Sequence, residues 1–232
     1  MSAAACASPF VPWPPGRRLV LASQSPRRAE LLRLAGLPFV VEPPGEVEAE
    51  LAAHLASAGA TPEQYALALA RAKAGAVAAR RLGELVLGAD TIVVVDGDVL
   101  EKPRDEADAR RLLGRLSGRR HTVITAIALC VHGGGDCDGG GGGPAPGGLA
   151  VVESAATEST VVEFLPLAPE AIARYVATGE PMDKAGAYGI QGYGALMVRR
   201  VEGCYFNVMG LPLARLGQLL GQALAAGAGG TP

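Results

Sequence analysis

Arg27 and Arg28 directly follow Ser25-Pro26, an electrostatically odd position. Serine is a common N-cap and proline a common first-turn residue, so the pair falls in the opening turn of a helix. Partial positive charge gathers there, and acidic side chains are normally favoured. Free backbone N–H groups beside two guanidinium forks suit an anion with several oxygens, such as a phosphate chain. Ser23, at the end of the preceding strand, adds a hydroxyl. Alternatively both arginines lie in water, where the dipole penalty is only about 0.3 kcal/mol.

Asp90 is the second oddity. It interrupts Leu85–Ala89 and Ile92–Val95, a run apolar enough to be buried on both faces. A carboxylate there is paired with a cation, bound to a metal or placed in a cleft, because unpaired burial costs several kcal/mol, of order ~5, or neutralises it. That makes Asp90 a catalytic candidate; the structural alternative is that it caps a bulge at Gly88. Lys102, after the next short strand, and Lys73, inside an Ala-rich segment, each read alone as solvated lysines. Glu48 stands in an acidic loop, and its spacing derives no metal role. The stretch from Asp183 to Gly192 mixes glycines with polar side chains and can embrace a flat ligand. Its Gln191 offers a donor and an acceptor together, as reading a nucleobase edge requires, or it is simply a surface glutamine.

The elements that carry these residues alternate between strand and helix. Strands are expected at Leu19–Ala22, Phe39–Val41, Leu85–Val95, Val99–Leu100, His121–Val131, Val151–Phe164 and Ala195–Val201. Asp96-Gly97 marks a hairpin. Helices are expected from Pro26 to Gly36, from the Thr61–Gln64 capping box to about Leu82, from Asp105 to Ser117-Gly118, from Pro169 to Gly179 and from Pro212 onward. A Pro/Gly/Glu loop is expected between the second strand and Thr61, and a Gly-interrupted loop from Gly179 to Gly194. This pattern predicts a mixed α/β sheet flanked by helices. Residues 18–220 are expected to form one domain, with a disordered leader (1–17), a flexible glycine-rich insert (133–148) and a disordered tail (221–232).

Composition narrows the function classes. The 232 residues are 49% hydrophobic with a formal charge of -2, which gives no general attraction to DNA or RNA. Cys6, Cys130, Cys137 and Cys204 show no Cys-x-x-Cys spacing, so neither a disulfide framework nor a zinc site is indicated. A reducing, cytoplasmic setting fits, with no membrane span; the Ala/Pro-rich leader leaves organelle targeting as the other reading.

Several blocks, in order and spacing, resemble the Maf family of nucleotide pyrophosphatases. They are Leu21-Ala22-Ser23-Gln24-Ser25-Pro26-Arg27-Arg28, Gly88-Ala89-Asp90-Thr91, Leu100-Glu101-Lys102-Pro103, Leu116-Ser117-Gly118-Arg119 and Gly210-Leu211-Pro212-Leu213. The resemblance implies an elongated twisted sheet with two lobes around a central cleft, a divalent cation (Mg²⁺ or Mn²⁺) and cleavage between the α- and β-phosphates. It makes Asp90 the general base and Lys102 its catalytic companion. Ser23, Arg28, Lys73 and Lys102 match residues lining the phosphate region, and Arg27, Thr91 and Gln191 match positions of substrate selection. Glu48 matches an acidic position near the metal, although Val47 stands where another acid is usual and Glu46 or Glu50 could substitute. Glu101 replaces a common glycine. The Asp183–Gly192 loop resembles the branch acting on dTTP and UTP, with modified pyrimidine nucleotides as further substrates. The competing readings are a 7-methyl-GTP pyrophosphatase and a non-catalytic, nucleotide-binding regulator of septum formation. A homodimer is implied by the same resemblance.

Overall fold

The computed structural model describes residues 8–132 and 150–228, without the side chains of 150–153 and 226–228. In chain order the elements are β1 (Leu19–Ala22), α1 (Pro26–Leu34), β2 (Phe39–Val41), α2 (Ala49–Ser57), α3 (Pro62–Ala78), β3 (Val86–Val95), β4 (Asp98–Leu100) and α4 (Glu106–Leu116). After them come β5 (Arg120–His132), β6 (Ala150–Phe164), α5 (Pro169–Val176), β7 (Val198–Glu202), α6 (Tyr205–Val208) and α7 (Leu213–Ala228). Seven strands form one open mixed sheet in the order β2-β1-β3-β5-β6-β7, with β4 pairing β3. β2, β1 and β3 run parallel, and the remaining pairs are antiparallel. The α/β expectation holds, with helices on both faces.

Side-chain alternation along β3 sorts the core. Val86 and Ile92 face α3, where they pack with Tyr65, Leu69, Ala70, Ala74 and Val77. Leu87 and Ala89 face the other way, toward α1 and α7. Val93 and Val95, further along that second face, pack against α4 and α5. One face therefore carries a single helix cluster and the other carries two.

Gly88 shows how tightly α3 is seated. A Cβ there would lie 2.2 Å from the Ala70 carbonyl oxygen and 2.6 Å from the Ala74 nitrogen, both immovable backbone. The β3–β5 register runs unbroken from Val86 to Val94, so there is no bulge at Gly88 for Asp90 to cap. Gly88→Ala is expected to push α3 off the sheet at a cost of about 1–3 kcal/mol. Urea denaturation checks this, and a midpoint equal to that of the parent protein refutes the close-packing argument.

Several boundaries differ from expectation. α2 replaces part of the expected Pro/Gly/Glu loop. Glu48, its N-cap, already has helical dihedrals and makes no side-chain cap bond, and none of its residues is buried. α3 ends at Ala78, four residues before Leu82, in a series of turns. The 180–197 loop contains 3₁₀ turns, which delay β7 to Val198. Ser25 has extended N-cap dihedrals, but its side chain makes no cap bond; instead its N–H donates to Ser23 Oγ at 3.1 Å. The Thr61/Gln64 capping box and the Asp105 cap form as read. α7 continues through 221–228, where a disordered tail was expected, and Val11, in the expected leader, packs beside Leu19 and Leu21. The 133–148 insert, residues 1–7 and residues 229–232 lie outside the described residues.

Candidate active site

The site begins with an interruption of sheet pairing. On one edge of β3, Val86–Gly88 pair with β1 and Val93–Val95 pair with β4. Between them, among the described residues, Ala89–Ile92 have no partner strand on that side. β1 ends beside this opening, at Ala22, and open α/β sheets bind ligands beyond the carboxyl ends of their strands at such breaks. Asp90 and Thr91 occupy the middle of the opening and project to opposite faces.

Asp90 turns toward α3. It is buried and accepts a 2.6 Å hydrogen bond from Lys73 Nζ. The same ammonium lies 2.8 Å from Glu48 Oε1. Lys73 is therefore not a solvated lysine: it is 6% exposed and bridges the two carboxylates. Its place in the middle of a long helix makes this possible, because α2 lays Glu48 over the site from one side while β3 presents Asp90 from the other. Half-burial works against ionisation of Glu48, but the Lys73 hydrogen bond and the charges of Lys73, Lys102 and Arg28 outweigh it and hold the carboxyl below its ordinary value.

Thr91 turns toward α1. Arg28 donates from Nε to the Gly210 carbonyl at 2.9 Å, from one terminal nitrogen to Ser23 Oγ at 3.0 Å and from the other to Thr91 Oγ1 at 3.1 Å. Burial, together with neighbouring Arg27, lowers its pKa against the pull of Asp90 and Glu48. The chain of bonds continues inward. Thr91 and Thr125 hydroxyls lie 3.0 Å apart, and Thr125 Oγ1 donates to the Asn207 carbonyl at 2.9 Å. Because the Thr125 proton is committed to Asn207, Thr91 must donate to Thr125 and accept from Arg28. Asn207 is itself fixed by bonds to Thr125 N, Val123 O and Thr160 Oγ1. Thr125→Val, which preserves shape but removes this relay, is expected to lower kcat/KM about fivefold, with Thr125→Ser restoring most of it. Steady-state assays check this; equal rates in the parent and the valine variant remove Thr125 from the site.

Lys102 and Gln191 come from outside the central strands. Glu101 anchors the segment bearing Lys102: its carboxylate accepts from the Tyr65 hydroxyl, and its carbonyl accepts from Gly186 N at 3.1 Å. Replacing the common glycine with glutamate therefore leaves Lys102 facing the cleft. Arg27 pairs with Asp183 at 2.9 Å, linking α1 to the loop that carries Gln191. All nine residues singled out by sequence, Ser23, Arg27, Arg28, Glu48, Lys73, Asp90, Thr91, Lys102 and Gln191, line one cavity of about 940 Å³. Sequence reading missed Tyr65, Thr125, Asn207 and Glu180, and gave Asp183 no role beyond opening the 183–192 loop. Thr125 left a signal, a polar residue within the apolar run of β5; Asn207 left none.

A hard divalent cation fits this donor set only with help from a substrate. Among the described residues no group of three His, Cys, Asp or Glu side chains is arranged to hold a metal alone. Glu48 and Asp90 converge on the Lys73 ammonium, not on an open point, but Glu48 is half-exposed on the cavity wall, and Mg²⁺ is commonly held by one or two carboxylates plus phosphate oxygens and water.

An open α/β sheet whose central strand presents an acid among cations, in a cavity large enough for a nucleotide, defines a nucleotide-phosphate-handling protein. The chain belongs to the Maf-like protein family, whose sequence pattern matches residues 18–223. It is 52% identical over 206 residues, 89% of this chain and 94% of the relative, to a protein of Symbiobacterium thermophilum named dTTP/UTP pyrophosphatase. Proteins of the same name from Koribacter versatilis and Bacillus velezensis are 49% and 43% identical over 90% and 86% of this chain, covering 95% and 93% of their own lengths. No helix among the described residues is long and apolar enough to cross a membrane.

Proposed function

We propose that this protein hydrolyses dTTP and UTP to the nucleoside monophosphate and pyrophosphate. The observation that carries the proposal is Asp90, held on the stretch of β3 that lacks a partner strand on one side, among the described residues, in one cavity with Arg27, Arg28, Lys73 and Lys102. The cations fit a triphosphate, and Asp90 fits a base that takes a proton from water as the water oxygen attacks the α-phosphorus and the bond to the bridging oxygen breaks. Pyrophosphate leaves on the side of the cations. Lys73 compensates the buried Asp90 charge before substrate arrives, and the Arg28–Thr91–Thr125 relay holds one guanidinium in place so that little reorganisation accompanies the reaction. Mg²⁺ or Mn²⁺, held by Glu48 and phosphate oxygens, would neutralise charge on the phosphate chain.

Arg27, Thr91 and Gln191 are assigned to substrate selection, with Gln191 reading the base edge. The relatives named above and the Asp183–Gly192 loop both favour pyrimidine over 7-methyl-GTP substrates. A homodimer and the absence of a nucleic-acid partner belong to the same proposal; sedimentation and a DNA-binding assay test them. The central experiment incubates purified protein with Mg²⁺ and a panel of triphosphates and separates pyrophosphate from orthophosphate release. Pyrophosphate from dTTP and UTP is the expected result. Binding without turnover of any nucleotide hands the case to a regulatory protein.

A further inference from the structure

Gln191 sits on a short stretch of chain that must be rigid if one amide is to distinguish bases. We propose that Tyr175 and Glu180 form a clip around that stretch and, by fixing Gln191, set the choice of nucleobase; this rests on the assignment of Gln191 as the base-reading residue. Glu180 Oε1 accepts hydrogen bonds from the Tyr175 hydroxyl at 2.9 Å and from Gly194 N–H at 3.1 Å, and Oε2 accepts from Tyr193 N–H at 3.0 Å. The Tyr175 oxygen in turn accepts from Gly189 N–H at 3.2 Å. The chain is thus pinned two residues before Gln191 and again two and three residues after it, all through one phenol–carboxylate pair. Bonds to an ionised acceptor are stronger than neutral ones, and burial together with the neighbouring carboxylate pushes the Tyr175 hydroxyl up, so it remains a donor.

The glycines show that the loop has no slack. A Cβ at Gly194 would lie 2.1 Å from the Gly189 carbonyl oxygen, and one at Gly192, whose φ is +68°, would lie 2.6 Å from Glu180 Oε2. The two ends of the loop therefore touch, closing a small ring of backbone in which Gln191 is half-buried and lines the cavity. Tyr175 does not line the cavity. It acts through Gln191 as a positioning residue.

The test compares kcat/KM for UTP with that for CTP in Tyr175→Phe, Glu180→Gln and, as a reference, Gln191→Ala. UTP and CTP share a triphosphate and a ribose, so their ratio isolates the reading of the base. The ratio is expected to fall about tenfold in all three variants, mainly through a higher KM for UTP. A ratio that falls in Gln191→Ala but holds in both clip variants overturns the clip and leaves the base-reading assignment intact. A ratio that holds in Gln191→Ala overturns that assignment and the clip with it. Glu180→Gln keeps one acceptor oxygen and serves if Tyr175→Phe does not fold; a lowered melting temperature with an unchanged ratio counts against the proposal.

Discussion

Asp90→Asn is expected to lower kcat for UTP about 10³-fold, the scale of losing a positioned base. Asparagine keeps the shape of the side chain and can still accept from Lys73, while Lys73 retains its bond to Glu48. Folding and nucleotide binding should therefore survive, so the loss appears in kcat. Calorimetric binding of UTP alongside the rate assay separates the two. A variant that keeps a tenth of the parent rate removes Asp90 from the chemistry.

Lys73→Met is expected to be as damaging to activity and far worse for stability. Removing one partner of a buried ion pair leaves the other charge uncompensated, at a cost of about 3–5 kcal/mol. Here Asp90 and Glu48 both lose the same cation. The cost should shrink in acid. Glu48 has a folded value below its ordinary 4.5, so its contribution is present above that value and is lost as pH falls through the folded one. Adding Asp90→Asn to Lys73→Met should recover part of the stability, because the stranded charge is gone. Urea unfolding of the four proteins at neutral and acidic pH supplies the cycle. Additive losses would mean that Lys73 and Asp90 do not interact.

The elements legible in the sequence were those whose local chemistry agrees with their packing. The Thr61 capping box, the Asp96-Gly97 hairpin and the long apolar runs of β3, β5 and β6 each carry their own signal. α2 carries almost none. It opens on acids, lacks a side-chain cap and buries nothing fully, although Leu51, Ala52 and Leu55 rest against the α3 core at helical spacing. The site divides along the same line. Asp90 and the arginine pair stood out because each violates a local rule, charge in an apolar strand and cations at a helix start. Lys73 violated nothing visible, since a lysine in a helix is ordinary until tertiary packing buries it. Asn207 lies on a four-residue helix and meets Thr125 only through the fold.

The doorway at Asp90 owes its existence to where β4 stops. Leu100 lies opposite Val93 and Val99 opposite Val94, so one more step would set residue 101 against Ile92, and continuing would bring Pro103 level with Asp90. Proline has no amide hydrogen to offer a neighbouring strand and disfavours certain conformations of the residue before it. Glu101 has turned its carbonyl to Gly186 N–H instead of to a strand neighbour, and Pro103 further down could donate nothing to an extended ladder, so together they work as a doorstop that keeps main-chain bonds from sealing Ala89–Ile92 and leaves Lys102 at the threshold of the cavity.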